Sequence, residues 1–229
     1  MEASTPEARR VLDAQHDLWQ STFAQKRDMF GAASSEPATR AAEQFKREGT
    51  LRILELGAGQ GRDTLFFAKN QFHVVALDYS QAAVEAIDRK AKAKAMGFGQ
   101  LVETVRHDVR EPLPFADGTF DACYSHMLYC MALTTSELER LSQEVRRVLK
   151  PDGLNVYTVR HTRDAHYGAG VQRGEDMYEV GGFIVHFFNR QTIEHLAQGY
   201  DIVSIDEFEE GGLPRKLFRV TLRKPGERQ

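Results

Sequence analysis

The 229 residues predict an α/β fold, doubly wound, with a mostly parallel sheet and helices on both of its faces. Three observations carry that expectation. The apolar run Ile53-Leu54-Glu55-Leu56 is followed by glycines at alternate positions, Gly57, Gly59 and Gly61, and then by an amphipathic stretch; this is the pattern of a strand turning into a helix around a ligand. Apolar runs of strand length then alternate with helical patterns as far as residue 159. Two closing runs, 201–208 and 216–222, flank Gly211-Gly212 and read as an antiparallel hairpin rather than another crossover unit.

In chain order, residues 1 to about 48 hold two helical patterns. Val11, Leu12, Leu18, Trp19 and Phe23 mark the first, Ala41, Ala42 and Phe45 the second, and a small-residue loop from Phe30 to Pro37 separates them. A strand at 51–56, a helix at 62–69 and a strand at 72–77 follow, then a helix at 81–95 that Ser80 caps and Gly97 ends. Strands are expected at 101–107 and 120–124. Thr134-Thr135-Ser136-Glu137 has capping-box spacing and opens a helix at 136–149, with Leu138, Leu141, Val145 and Val148 on one face. Lys150-Pro151-Asp152-Gly153 stops that helix before a strand at 154–159. The basic run Arg89 to Lys94, interleaved with alanines, reads as a solvated helix face. Residues 160–182 break the alternation with five glycines and scattered charges, a stretch too long for an ordinary connection and therefore functional or mobile. The apolar run Phe183 to Phe188 and a helix near 190–198, opened by Asn189, lead to the hairpin.

With 41% hydrophobic residues, the chain is long enough for one sizeable domain. A net charge of −3 argues against a nucleic-acid or anionic-lipid partner. No apolar run approaches the roughly 20 residues of a membrane span, and Met1 to Arg10 lacks the apolar core of a signal peptide. A cytoplasmic protein acting on a small molecule, as a monomer or homodimer, is expected. Cys123 and Cys130 are read as reduced thiols, and neither they nor the eight histidines have metal-ligand spacing, so no metal is expected.

A dinucleotide loop normally reads G-x-G-x-x-G, which wants a glycine where Arg62 stands. The glycine loop is instead joined by Asp78 after the second strand and Asp108 after the third, both at the carboxyl edge where open α/β sheets bind ligands.

On these residues the chain resembles the class I S-adenosylmethionine-dependent methyltransferases over about residues 50–225. ILELGAGQGRD is similar to their first motif, VVALDYS to the second, RHDV to the third, and LSQEVRRVLKPDGLNVYTVR to the helix, turn and fifth strand that follow. The layout resembles that of a methyltransferase domain of the type 11 or type 25 kind, as in the small-molecule tellurite-resistance and thiopurine-methylating groups. The resemblance implies a helical cap segment over 1–48 and a Rossmann-like domain over 49–229 with a seven-stranded sheet. It implies methyl transfer from S-adenosylmethionine to a small-molecule acceptor by in-line displacement, with S-adenosylhomocysteine as product. Gly57, Ala58, Gly59 and Gly61 would line the methionine part, Glu55 would orient the loop and the amino group, and Asp78 would bind the ribose hydroxyls. Tyr79 would pack on adenine, Asp108 and the Val109 backbone would read its edge, and Ser125 completes the cofactor set.

The acceptor is expected beyond strand 120–124, where His126 is the favoured acceptor-side residue, with His161 and His166 as further catalytic candidates. Trp19, Tyr129, Asp164 and Tyr167 are candidate substrate contacts, and Cys130 is a weak candidate for a soft substrate. Trp19, Phe23 and Phe30 either fold the N-terminal segment over the cofactor or pack in the core. Cys123-Tyr124-Ser125-His126 stands where base-methylating relatives carry asparagine or aspartate, two prolines and an aromatic, which argues against nucleic-acid methylation. Two alternatives stay open. An NAD-dependent oxidoreductase would use Asp78 on the nicotinamide ribose, although Arg62, Asp108 and the hairpin weigh against it. A non-catalytic S-adenosylmethionine-binding module is the other.

Overall fold

The computed structural model describes residues 6–92, 97–211 and 215–226. Five parallel strands come first: β1 (Arg52–Leu56), β2 (His73–Asp78), β3 (Val102–Arg106), β4 (Phe120–His126) and β5 (Leu149–Arg160). Strands β6 (Val171–Gly174), β7 (Met177–Val180) and β8 (Phe183–His186) form a separate antiparallel sheet. The chain returns to the main sheet in β9 (Asp201–Glu210) and β10 (Arg215–Arg223), antiparallel to each other, with β10 antiparallel to β5. The seven-stranded order is β3-β2-β1-β4-β5-β10-β9. Strand order reverses between β1 and β4, so the crevice at their carboxyl ends is the place such a sheet offers a ligand.

The helices are α1 (Pro6–Gln25), α2 (Glu36–Arg47), α3 (Arg62–Lys69), α4 (Gln81–Ala91), α5 (Thr135–Val148) and α6 (Arg190–Leu196). Burial on both faces explains the unbroken apolar character of β1. Ile53 packs with Phe45 of α2 and Phe67 of α3, whereas Leu54 and Leu56 face the core that holds Leu138, Leu141, Val145 and Val148 of α5 and Ile193 of α6. In α2 the buried Ala38, Ala41, Ala42 and Phe45 recur at helical spacing.

The predicted caps are present. Ser80 Oγ accepts from the Ala83 amide, and Thr134 and Glu137 form a reciprocal capping box. Helix α4 is described as far as Lys92; residues 93–95 of the expected helix, and Gly212 of the expected turn, lie outside the described residues. Strand β5 starts five residues earlier than expected, because Leu149 already pairs with Phe120. The register then shifts, placing Leu154 opposite Ala122. The Lys150–Gly153 stretch therefore ends α5 as predicted but bulges within the strand. A Cβ on Gly153 would lie 2.9 Å from the Lys150 carbonyl oxygen.

The main departure is the 160–182 stretch, which builds most of the small sheet. Val180 pairs with Phe183 across Gly181 and Gly182, both at positive φ (61° and 86°), the signature of a two-residue type I′ hairpin turn. Replacing Thr134 with alanine should lower the unfolding free energy by about 1 kcal/mol, with an unchanged denaturant slope. Urea titration of parent and variant checks this.

Candidate active site

The glycine loop is fastened to the end of β2 by its backbone. Gly57 and Ala58 amides donate to the Leu77 carbonyl at 2.8 and 3.1 Å, and the Gly59 amide donates to Asp78 Oδ2 at 2.8 Å. The Ser80 amide donates to Asp78 Oδ1 at 2.9 Å. Gly57 (φ 68°) and Gly61 (φ 83°) are required here. A Cβ on Gly57 would come 2.9 Å from the Leu128 side chain and one on Gly61 2.8 Å from Ile87.

Against this loop lies a cavity of about 400 Å³. Asp78, Tyr79, Asp108 and Val109 line one end, with Glu55, Gly57, Ala58 and Gly59 beneath it. His126, Met127 and Leu128, at the end of β4, lead to a wall of Tyr178, Phe183 and Phe187 from the small sheet and its exit. Helix α1 forms the roof through Leu12, Gln15, His16, Trp19 and Phe23. Tyr79 stacks on the His16 ring (centroids 4.4 Å apart), and Trp19 packs on Phe183 at 4.8 Å.

Carboxylates dominate the loop end. Burial and the neighbouring Asp63 push Glu55 well above the usual range, although Thr64 Oγ1 donates to it at 2.6 Å. Burial also raises Asp78 against its backbone hydrogen bonds. Asp108 behaves oppositely: against the push of burial, Arg110 holds it below the usual range, donating from Nη2 at 2.6 Å. Arg110 also reaches Asp13 of α1 at 2.6 Å. Each Asp78 oxygen takes one N–H and keeps acceptor capacity toward the cavity. Buried carboxylates with this spare capacity suit a cationic ligand bearing hydroxyls.

At the other end, Thr158 Oγ1 accepts from the Met127 amide at 3.0 Å and lies 2.9 Å from His126 Nδ1. These partners assign the ring hydrogen to Nε2, which faces Glu210 Oε2 at 3.5 Å. The His126 hydrogen bond holds Glu210 below the usual carboxylate range.

Of the acceptor-side candidates, His126, His166 and Trp19 line the cavity. The others lie elsewhere. Tyr129 is fully buried in the core, stacked on Tyr157 at 4.4 Å. His161 stacks on Phe218 at 4.1 Å, and its Nδ1 accepts from the Arg163 amide. Asp164 is buried under Arg160, and the exposed Tyr167 donates to Asp176 at 2.8 Å. Ser125 is sealed in β4 behind the cavity, and Gly61 acts through the N-terminus of α3. Cys130 is buried, its thiol pushed up to about 11 by desolvation, which does not suit a soft nucleophile. Phe23 and Phe30 line the cavity. Sequence reasoning missed Gln15, His16, Arg110 and Glu210, and it placed Arg160 only as the start of a loop expected to face the cleft, with no role of its own. The strand-edge rule that found Asp78 applies equally to Arg160, the last residue of β5. Among the described residues no group of three His, Cys, Asp or Glu side chains could hold a metal ion, and no helix is long and apolar enough to cross a membrane.

Sheet order, glycine loop and strand-edge carboxylates define a doubly wound domain for a nucleoside-bearing cofactor. Residues 53–153 match a family described as a methyltransferase domain. A glycine/sarcosine/dimethylglycine N-methyltransferase of Actinopolyspora halophila is 30% identical over 144 residues, 62% of this chain and 24% of that one. A demethylmenaquinone methyltransferase of Clavibacter sepedonicus is 33% identical over 127 residues, 56% of this chain and 47% of that one. This chain thus spans less than half the length of either relative. In fold it is similar to the 1,6-didemethyltoxoflavin-N1-methyltransferase of Burkholderia thailandensis, solved with 1,6-didemethyltoxoflavin and S-adenosylhomocysteine (TM-score 0.73, 17% identity, covering 98% of this chain and 92% of that one). Residues 53–153 thus match a methyltransferase domain, and the chain shares its fold with a methyltransferase solved with S-adenosylhomocysteine.

Because Glu55 and Asp78 hold their protons more tightly folded than unfolded, their contribution to stability is fully present below the unfolded carboxylate range and is lost as pH rises through their raised values. Glu55→Gln should flatten that decline. Urea unfolding without ligand from pH 4 to 8 checks it, and an unchanged slope would count against Glu55 as its source.

Proposed function

We propose that the protein transfers a methyl group from S-adenosylmethionine to a small-molecule acceptor, releasing S-adenosylhomocysteine. The observation that carries this reading is the continuous cavity joining the glycine loop and Asp78 to His126 and the aromatic wall. When bound, S-adenosylmethionine supplies an electrophilic methyl group on a cationic sulfur. Gly57, Ala58 and Gly59 hold its methionine portion with Glu55 toward the amino group, Asp78 takes the ribose hydroxyls, and Tyr79, Asp108 and Val109 enclose the adenine. The relatives and the fold neighbour named above are methyltransferases by name, and two of the three are N- or N1-methyltransferases by name, which supports a small-molecule acceptor.

The chain contributes mainly alignment and water exclusion. Helix α1 closes the cavity from above, and holding a nucleophile in line can supply up to about 7–11 kcal/mol of the barrier reduction. His126 Nε2–H and the Glu210 carboxylate place a donor and an acceptor together, which orients a protonated nucleophile and can receive its proton. In this reading residues 1–48 are a cap, residues 49–229 the catalytic domain, and the protein works in the cytoplasm without a metal.

Calorimetric titration with S-adenosylmethionine, S-adenosylhomocysteine and NAD tests the proposal. Saturable binding of the first two alone is expected, and binding of NAD alone would overturn it in favour of hydride transfer. Asp78→Ala should weaken S-adenosylmethionine binding at least tenfold, about 1.4 kcal/mol. His126→Ala should lower turnover more than cofactor affinity, and equal turnover in variant and parent would remove His126 from the acceptor site.

A further inference from the structure

Arg160 ends β5 at the carboxyl edge of the sheet, two residues beyond Thr158, which pairs with His126. Its side chain is 6% exposed. Nε donates to Asp164 Oδ2 at 3.2 Å and Nη2 donates to Asp164 Oδ1, a fork that fixes the guanidinium plane. Asp164 is itself anchored by the amides of His166 (2.9 Å) and Lys216 (2.8 Å). The Phe187 ring lies 5.5 Å from the guanidinium carbon.

This framework leaves Nη1 unused. It has no acceptor among the described residues, it is not among the sealed unpaired atoms, and Arg160 lines the cavity. A second donor stands beside it. Arg160 Nη2 is 3.3 Å from His166 Nδ1, and since a guanidinium can only donate, Nδ1 accepts and the ring hydrogen resides on Nε2. His166 also lines the cavity, and no partner for its Nε2 occurs among the described residues. A permanently charged, nearly buried arginine with unspent donors in a cavity calls for an acceptor from the ligand. Arg215 lines the same cavity and adds positive charge, while Glu210 is engaged by His126. The neighbouring walls, Met127, Met131, Tyr178, Val185 and Phe187, are apolar and partly aromatic.

We propose that Arg160 Nη1 and His166 Nε2–H form an anion-recognition site, and that the ligand it takes is a ring-sized apolar molecule bearing a carboxylate or comparable ionised acid. Asp164 is the positioning residue that aims Arg160. As the identity of the methyl acceptor, this rests on the methyl-transfer reading of the same cavity; as a binding site, it stands on the geometry of Arg160 and His166.

The test is calorimetric binding of benzoate, 2-naphthoate and indole-3-carboxylate, each beside its neutral carboxamide, to the parent saturated with S-adenosylhomocysteine, to Arg160→Lys and to His166→Ala. At least one acid should bind tenfold or more tighter than its amide. Arg160→Lys, which keeps a cation for Asp164 but loses Nη1, should bring the pair within about twofold, and His166→Ala should narrow the gap. A role confined to anchoring the 161–167 turn would alter the melting temperature without moving that ratio. The proposal is overturned if no acid binds the parent more tightly than its amide, or if folded Arg160→Lys keeps the preference. Should S-adenosylhomocysteine itself fail to bind, the methyl-transfer reading falls, and the same pairs titrated into the protein alone still decide the anion site.

Discussion

The Asp78 carboxylate, gripped by the amides of Gly59 and Ser80, is the constraint on which the site depends. Those bonds, with Gly57 and Ala58 on the Leu77 carbonyl, join the turn after β1 to the turn after β2. They set the height of the glycine loop and the entry of α3 and α4. A carboxylate buried at this point costs desolvation, which the two backbone donors only partly offset, as its raised proton affinity records. The site therefore holds unspent electrostatic demand where a cofactor can meet it.

The roof is tied to this floor through side-chain amides. Gln60 donates to the carbonyls of Phe23 (3.1 Å) and Lys26 (2.7 Å) and accepts from Met29, gripping the end of α1. Gln15 donates to Gly182 and accepts from Ile184, joining the middle of α1 to the β7–β8 turn, and Arg110 spans Asp108 and Asp13. Each neutral bond of this kind contributes about 0.5–1.5 kcal/mol net, so the roof is held by several comparable ties rather than one. Cofactor floor, helical roof and aromatic wall consequently share residues, which is how a short sequence stretch such as Gly59-Gln60-Gly61 influences the whole enclosure.

Much of this was legible in the chain. The parallel strands were readable because both faces of β1, β2 and β4 are buried and the residues run apolar without interruption, and the caps because Ser80 and Thr134-x-x-Glu137 satisfy amides of their own helix. The small sheet was less legible: its strands are four residues each, and the Gly181-Gly182 turn that organises it ends a stretch that length and composition mark only as functional or mobile. Acceptor-side reasoning mixed outcomes for a physical reason. His126 and His166 stand at the cavity, but Tyr129, only three residues from His126, turns into the core, and Asp164 turns beneath Arg160.

Local chemistry alone determined the sheet, the order of its elements, the glycine loop and the strand-edge carboxylates, because those depend on periodicity, backbone freedom and contacts within a few residues. Tertiary structure decided what roofs the cavity, which histidines reach it and where the donors of Arg160 point. Gln15 meets Ile184 across 169 positions and His126 meets Glu210 across the sheet, and such contacts arise from packing of distant surfaces that no local pattern encodes.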